Sequence, residues 1–243
     1  MYSLLEVLLR FALLRARCGG EVGLALRARW LHRACHMIAR RLSMRVSASG
    51  PLPDSGLVVA NHLSYLDILF FSSLMPCIFV SKSEVLSWPI FGILARCGGT
   101  IFVDRGRGAV IDTVARQITA ALQAGIPVVL FPEGTSTDGT TVLKFFPALF
   151  EPAIQSGTPI VASAVAYELS DGREVDMCYY GDITFGPHLI KALAHKDVHA
   201  RIAFAESGVR YADRKAAAGG SRALVLAQRA VLAPATYAEA ARI

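Results

Sequence analysis

The sequence predicts an α/β fold in which a central, mostly parallel sheet is flanked by helices and preceded by an N-terminal amphipathic two-helix element suited to a membrane interface. Three observations carry this. From Leu57 onward, short apolar runs of strand length alternate with helix-like stretches, the pattern of strands joined by crossover helices. Three of those runs end in polar clusters, and ligands in open sheets collect at strand carboxyl ends. Residues 1–50 contain nine arginines, no lysine and two acids, a formal +7 against +6 for all 243 residues, so the remainder sums to about −1.

That placement argues for a local contact with something anionic and against a protein coated for nucleic acid. The five cysteines (Cys18, Cys35, Cys77, Cys97 and Cys178) are widely spaced without a C-x-x-C pair. Neither a disulfide framework nor a zinc site is indicated, and a reducing, cytosol-facing compartment is expected.

Residues 1–48 read as a membrane-association element and 49–243 as the α/β domain. Tyr2 to Leu14 is apolar apart from a stripe of Ser3, Glu6 and Arg10 that continues to Arg17 at helical spacing. Thirteen helical residues span roughly 20 Å, too short for a hydrocarbon core of about 30 Å. Glu6 and Arg10 also interrupt the apolar region that a cleaved signal peptide needs. After a break at Cys18-Gly19-Gly20, Val22 to Met44 places Arg29, Arg33, His36 and Arg40 on one helical face and Leu24, Leu31, Cys35, Ile38 and Leu42 on another. Such helices lie in the interface plane, apolar side down, with arginines at lipid phosphates. Arg10, Arg29, Arg33 and Arg40 are the expected membrane contacts.

Pro51, Pro53, Asp54 and Gly56 mark a loop. The expected strands are then Leu57–Ala60, Ile78–Val80, Thr100–Val103, Pro127–Phe131, Ile160–Ala166, Met177–Tyr180 and His199–Ala205. Helices are expected at Ala109–Ala124, Phe146–Gln155 and Ser221–Leu232, and the alanine-rich tail from Ala216 is expected to fray.

The polar clusters carry the chemistry. Asn61 to Asp67 reads NHLSYLD, Asp104 to Gly108 reads DRGRG, and Pro132 to Ser136 reads PEGTS. A neutral imidazole accepts a proton near neutral pH, and a carboxylate behind it fixes its tautomer. Asp67 is the carboxylate expected behind His62. Five residues of regular helix would set the two about 140° apart, so they meet only if His62 lies in the turn before the helix, with Asn61 or Ser64 as cap. No nucleophile-elbow serine or cysteine is present, so direct attack by a substrate hydroxyl is the simpler scheme. Arg105 and Arg107, flanked by glycines, suit a phosphate held bidentately, and Glu133, Gly134 and Thr135 are candidates to orient an acceptor. Metal ligation by His62 and Asp67 lacks a third ligand at a telling spacing.

In these blocks the chain resembles the glycerolipid acyltransferases of the 1-acylglycerol-3-phosphate (lysophosphatidate) type. NHLSYLD resembles their NHxxxxD motif, Phe102 to Arg105 (FVDR) the second block, Phe131 to Ser136 (FPEGTS) the third, and Thr158 to Ala166 (TPIVASAVA) the apolar fourth. The likeness runs from about residue 55 to 205. It implies transfer of a fatty acyl group from acyl-CoA or acyl carrier protein to a lysophospholipid hydroxyl at the cytoplasmic face of the inner membrane. The thioester would be a co-substrate, with no bound cofactor or metal. His62 would be the general base, Asp67 its partner and Arg105 the phosphate holder. Glu133 and Gly134 would shape the acceptor site, and Asn61, Arg107 and Thr135, from their places in the three polar clusters, complete the expected substrate-binding set. A two-helix N-terminal membrane element is also implied.

The chain departs from that pattern in three places. Ser136 stands where an arginine often follows FPEGT, Phe146 where a basic residue often follows a phenylalanine, and Ala162-Ser163 where Pro-Val is usual. These departures weaken the implied phosphate grip and make a lyso-ornithine lipid or another lysolipid the alternative acceptor. Tyr180 to Leu189 resembles acyltransferases of that branch. A non-catalytic lipid-binding protein on the same scaffold is the alternative of another class, and the intact His62, Asp67, Arg105 and Glu133 speak against it.

Overall fold

Strand β2 (Leu57–Ala60) is buried along its whole length, which an apolar run achieves only with a layer on each face. In the computed structural model, which describes residues 2–88, 90–103 and 108–233, both layers are present. Alternation along each strand sorts side chains between them. Val58 and Ala60 of β2 join a cluster with Phe70 and Phe71, while Leu57 and Val59 join Ile118, Leu122 and Val225 on the other face.

Among the described residues the strands are β1 (Arg45–Ser49), β2, β3 (Ile78–Lys82), β4 (Ile101–Val103), β5 (Val128–Leu130), β6 (Ile160–Glu168) and β7 (His199–Phe204). They form one sheet in the order β1-β7-β6-β2-β5-β3-β4. All neighbours are parallel except β6 and β7. The expected α/β sheet with flanking helices is therefore present. The helices are α1 (Tyr2–Arg17), α2 (Leu24–Arg41), α3 (Leu66–Leu74), α4 (Phe91–Cys97), α5 (Gly108–Gln123), α6 (Glu151–Gln155), α7 (Phe185–Ala194) and α8 (Arg214–Leu232).

Four local expectations are corrected. Met177–Tyr180 is no strand: Met177 ends a 3-10 turn (Glu174–Met177), and the Tyr179 amide donates to Leu63 O at 2.8 Å, so this backbone braces the loop after β2. The Phe146–Gln155 helix splits into a 3-10 turn (Pro147–Phe150) and α6, because each proline lacks an N–H and suits only a helix start. Strand β1 escaped notice because it is a mostly exposed edge with no apolar run. The alanine-rich tail does not fray over 216–232. Asp213 caps α8, accepting from the amides of Lys215 (2.7 Å) and Ala216 (2.9 Å), and Ala217 and Ala218 are buried in the same apolar layer as the small residues Ala162, Ala164 and Ala166 of β6. Small side chains on both sides let helix and sheet approach closely.

The N-terminal helices form as expected, with α2 shorter at both ends. They pack through Phe11 and Trp30, whose ring centroids are 4.8 Å apart. Glu6 of α1 clips the helices together by accepting from Arg41 of α2 at 2.7 Å, and also accepts from Arg10 one turn along its own helix at 2.6 Å. Leu5, Leu9 and Leu13 are exposed along one stripe of α1. No helix among the described residues is long and apolar enough to cross a membrane.

Candidate active site

The strands β6, β2 and β5 are neighbours running the same way, so their carboxyl ends open together where polar side chains converge. As β2 runs out, Asn61 continues its pairing with β6 through a side chain. Its amide nitrogen donates to Val165 O at 3.1 Å, and its carbonyl oxygen accepts from Val165 N at 2.9 Å. Asn61 is buried and bonded to backbone on both arms; it does not cap α3. Ser64 is nearer that role, its hydroxyl lying 3.4 Å from the Leu66 amide.

His62 occupies the turn before α3, the position that the five-residue spacing requires. Its Nδ1 is 2.7 Å from Asp67 Oδ2. Asp67, in the first turn of α3 and fully buried, also accepts from the amides of Leu63 (2.9 Å) and Ser64 (3.1 Å) on that oxygen. The Tyr167 hydroxyl donates to its Oδ1. The amides cannot accept, and a carboxylate ringed by donors takes the acceptor role in each bond, so Nδ1 carries the imidazole proton and Nε2 presents a lone pair. The helix N-terminus further favours negative charge there. The His62 ring stacks on Phe131, 4.2 Å away and 11° from parallel, and its side chain is 21% exposed. A partly exposed imidazole, oriented from behind by a buried carboxylate, can take a proton from a bound hydroxyl.

Tyr167 was not foreseen. Burial, and next the nearby Asp67 charge, push its phenol well above its ordinary range, so it remains a donor. Its signal lay in the phase of β6: Val161, Val165 and Tyr167 alternate onto the His62 face. Tyr167→Phe removes a charge-assisted bond and leaves the other Asp67 contacts. Urea unfolding should show a loss of about 1–3 kcal/mol with an unchanged slope.

Glu133 follows β5 in a tight turn, with Pro132 second and Gly134 fourth, closed by the Gly134 amide donating to Phe131 O at 3.1 Å. Gly134 sits at φ 70°, a conformation that favours glycine. The carboxylate faces backbone: Oε1 accepts from His62 N at 2.7 Å and Oε2 from Leu143 N at 2.6 Å. Glu133 therefore ties the turn of His62 to the loop before α6, and Thr137 N adds a bond to His62 O at 2.9 Å. Thr135 is exposed beside this turn. The Ser136 hydroxyl donates to Tyr179 O.

Burial pushes Glu133 from an ordinary 4.5 up to about 7, against the two amide donors, which lower it. The folded chain then holds this proton more tightly than the unfolded chain does, so stability from this group falls as pH rises from about 4.5 to 7 and is level below. His188 and His199, both lowered by burial, act in the opposite sense near pH 6.5, so a difference measurement is needed. The unfolding free energy of wild type minus Glu133→Gln, followed by urea titration, should decline between pH 5 and 7.5.

Behind the site lies a second unforeseen feature. Arg229 of α8 is fully buried and forks onto Glu174: Nη1 lies 2.8 Å from Oε1, and Nη2 contacts Oε2. It also donates to Val165 O (3.1 Å) and Gly139 O (3.0 Å), and Glu174 Oε1 accepts from Tyr167 N at 2.8 Å. Asn61 and Arg229 thus share one carbonyl, and Tyr167 is held from both its backbone and its hydroxyl.

Arg105 and Arg107 lie outside the described residues. Of the arginines expected at a membrane, Arg10, Arg29, Arg33 and Arg40 are exposed. Among the described residues no group of three or more His, Cys, Asp or Glu is arranged to hold a metal ion.

Residues 43–166 match the family model Acyltransferase. The chain is 34% identical over 166 residues to a 1-acyl-sn-glycerol-3-phosphate acyltransferase of Neisseria meningitidis, covering 66% of this chain and 65% of that protein. It is 37% identical over 205 residues to a lyso-ornithine lipid O-acyltransferase of Rhizobium meliloti, covering 77% and 70%. The fold is similar to the crystal structure of the 1-acyl-sn-glycerophosphate acyltransferase PlsC from Thermotoga maritima, with a TM-score of 0.66 at 19% identity, over 93% of this chain and 86% of that one.

Proposed function

From the premise that this chain belongs to the acyltransferase family, we propose that it moves a fatty acyl group from a thioester to the free hydroxyl of a lysophospholipid, 1-acylglycerol-3-phosphate first among acceptors. The observation that carries the reading is the 2.7 Å bond between His62 Nδ1 and buried Asp67 at the carboxyl end of β2, inside the family match. In the reaction, His62 Nε2 takes the hydroxyl proton as the oxygen attacks the thioester carbonyl. The C–O bond forms, the C–S bond breaks, and the imidazolium returns the proton to the departing thiolate. Asp67 stabilises the imidazolium. Tyr167, Glu133 and Asn61 hold the pair in place, and no bound cofactor or metal enters the step.

Acyl-CoA or acyl carrier protein is the donor, as the resemblance implies, and Arg105 with Arg107 holds the acceptor phosphate, a role that their glycine-flanked guanidinium groups suit. The enzyme works as a monotopic or peripheral protein on the cytoplasmic face of the inner membrane. The exposed leucine stripe of α1 and the exposed arginines of α2 support that placement.

A lyso-ornithine lipid acceptor is the second reading. It is favoured by the higher identity and longer overlap with the Rhizobium protein and by Ser136, whose hydroxyl is engaged with Tyr179 O where the family often has an arginine. Competition decides: with both lysolipids at equal concentration and one labelled acyl-CoA, the first reading gives mainly phosphatidate, and the second mainly ornithine lipid.

A further inference from the structure

Between α1 and α2 runs a groove of about 320 Å³, at the small end of ligand pockets. Its walls divide by chemistry. Val7 and Leu14 of α1 face Leu26, Trp30, Ala34 and Met37 of α2, and Arg10, Arg29 and Arg33 complete the lining. Arg29 and Arg33 stand one turn apart on α2, a spacing that brings side-chain bases within about 5–6 Å, and among the described residues neither meets a carboxylate. Arg10 bonds Glu6 at 2.6 Å. None of the lining residues bonds His62, Asp67 or Glu133, so the groove is separate from the proposed reaction site.

Two guanidinium forks side by side suit the oxygens of one phosphate group. An apolar wall beneath them gives free phosphate nothing and gives a lipid glycerol and upper acyl chain a dry surface, with an indole of the kind that favours such boundaries. We propose that this groove binds one anionic glycerophospholipid molecule, its phosphate between Arg29 and Arg33 and the start of one acyl chain against Leu26, Trp30 and Met37. It is a discrete lipid site within the membrane-facing helices, and it requires no acyl transfer.

The chain has two tryptophans, so Trp88→Phe leaves Trp30 as the sole reporter. The full-length Trp88→Phe protein is titrated with dihexanoyl phosphatidylglycerol below its micellar threshold, and Trp30 emission is read against dihexanoyl phosphatidylcholine and inorganic phosphate. Saturable change with phosphatidylglycerol is expected, at least 10-fold weaker in Arg29→Gln/Arg33→Gln and partly recovered in Arg29→Lys/Arg33→Lys. Both arginines are exposed, and matching circular-dichroism melts confirm that the variants fold. Equal affinity in the Gln variant overturns the proposal. So does inorganic phosphate binding as tightly as the lipid, which makes the site a plain anion site. Self-association by light scattering that the Gln variant abolishes, without lipid binding, assigns the groove to a second copy and likewise overturns it.

Discussion

His62→Ala is expected to lower acyl transfer by about 10²–10⁴-fold, the range for loss of a positioned general base, while the fold persists. Truncation gives up the imidazole's stacking on Phe131, but the side chain is partly exposed and the backbone bonds of His62 to Glu133 and Thr137 survive. Asp67 loses one of four donors and keeps the amides of Leu63 and Ser64 and the Tyr167 hydroxyl. Steady-state transfer from a labelled acyl thioester, read beside a thermal melt, checks this. Near-normal turnover in a folded variant would refute His62 as the base. A collapsed melt would refute the separation of site and scaffold.

Arg229→Ala should show the largest loss of stability, about 3–5 kcal/mol, the scale for removing one partner of a buried ion pair. The penalty is not the attraction lost. Glu174, with its side chain 8% exposed, stays behind as a buried carboxylate, and the carbonyls of Val165 and Gly139 lose a donor. The damage also reaches the site, because Glu174 holds the Tyr167 amide and Tyr167 holds Asp67. Urea unfolding should show a lower midpoint at unchanged slope, and transfer measured well below the new melting temperature should fall too. A cost under about 1 kcal/mol would mean that α8 is tied down by its small-residue packing alone.

The contrast between these residues shows what the sequence could tell. His62 and Asp67 were legible because a polar pair ending an apolar run is conspicuous and the five-residue spacing permits one arrangement only. Arg229 was hidden. A lone arginine in a helix that also carries Arg214, Lys215 and Arg222 looks solvated, and only its phase with the buried Val225 and Leu232 betrays that it faces the sheet. Tyr167 was hidden for a similar reason, as the polar tip of an aromatic at the end of an apolar strand. The fold class followed from alternation, since period and length survive without tertiary context. Edges did not: β1 has no apolar run, and Met177–Tyr180 has one that serves loop packing. Glu133 was legible as a site residue, but its direction was not, because the turn at Gly134 aims the carboxylate at the His62 and Leu143 amides.

The central claim is that an acceptor hydroxyl attacks the thioester directly with His62 as base. Its most direct measurement follows radiolabel from acyl-CoA in the wild-type chain with and without lysophosphatidate, tracking lipid product, free thiol and protein-bound label together. Thiol release and labelled diacyl product are expected in equal amounts only when the lysolipid is present, with no label held on the protein, and both slowed about 10²–10⁴-fold in His62→Ala. Label retained covalently on the protein without acceptor, or product formation at a near-normal rate in His62→Ala, would contradict it.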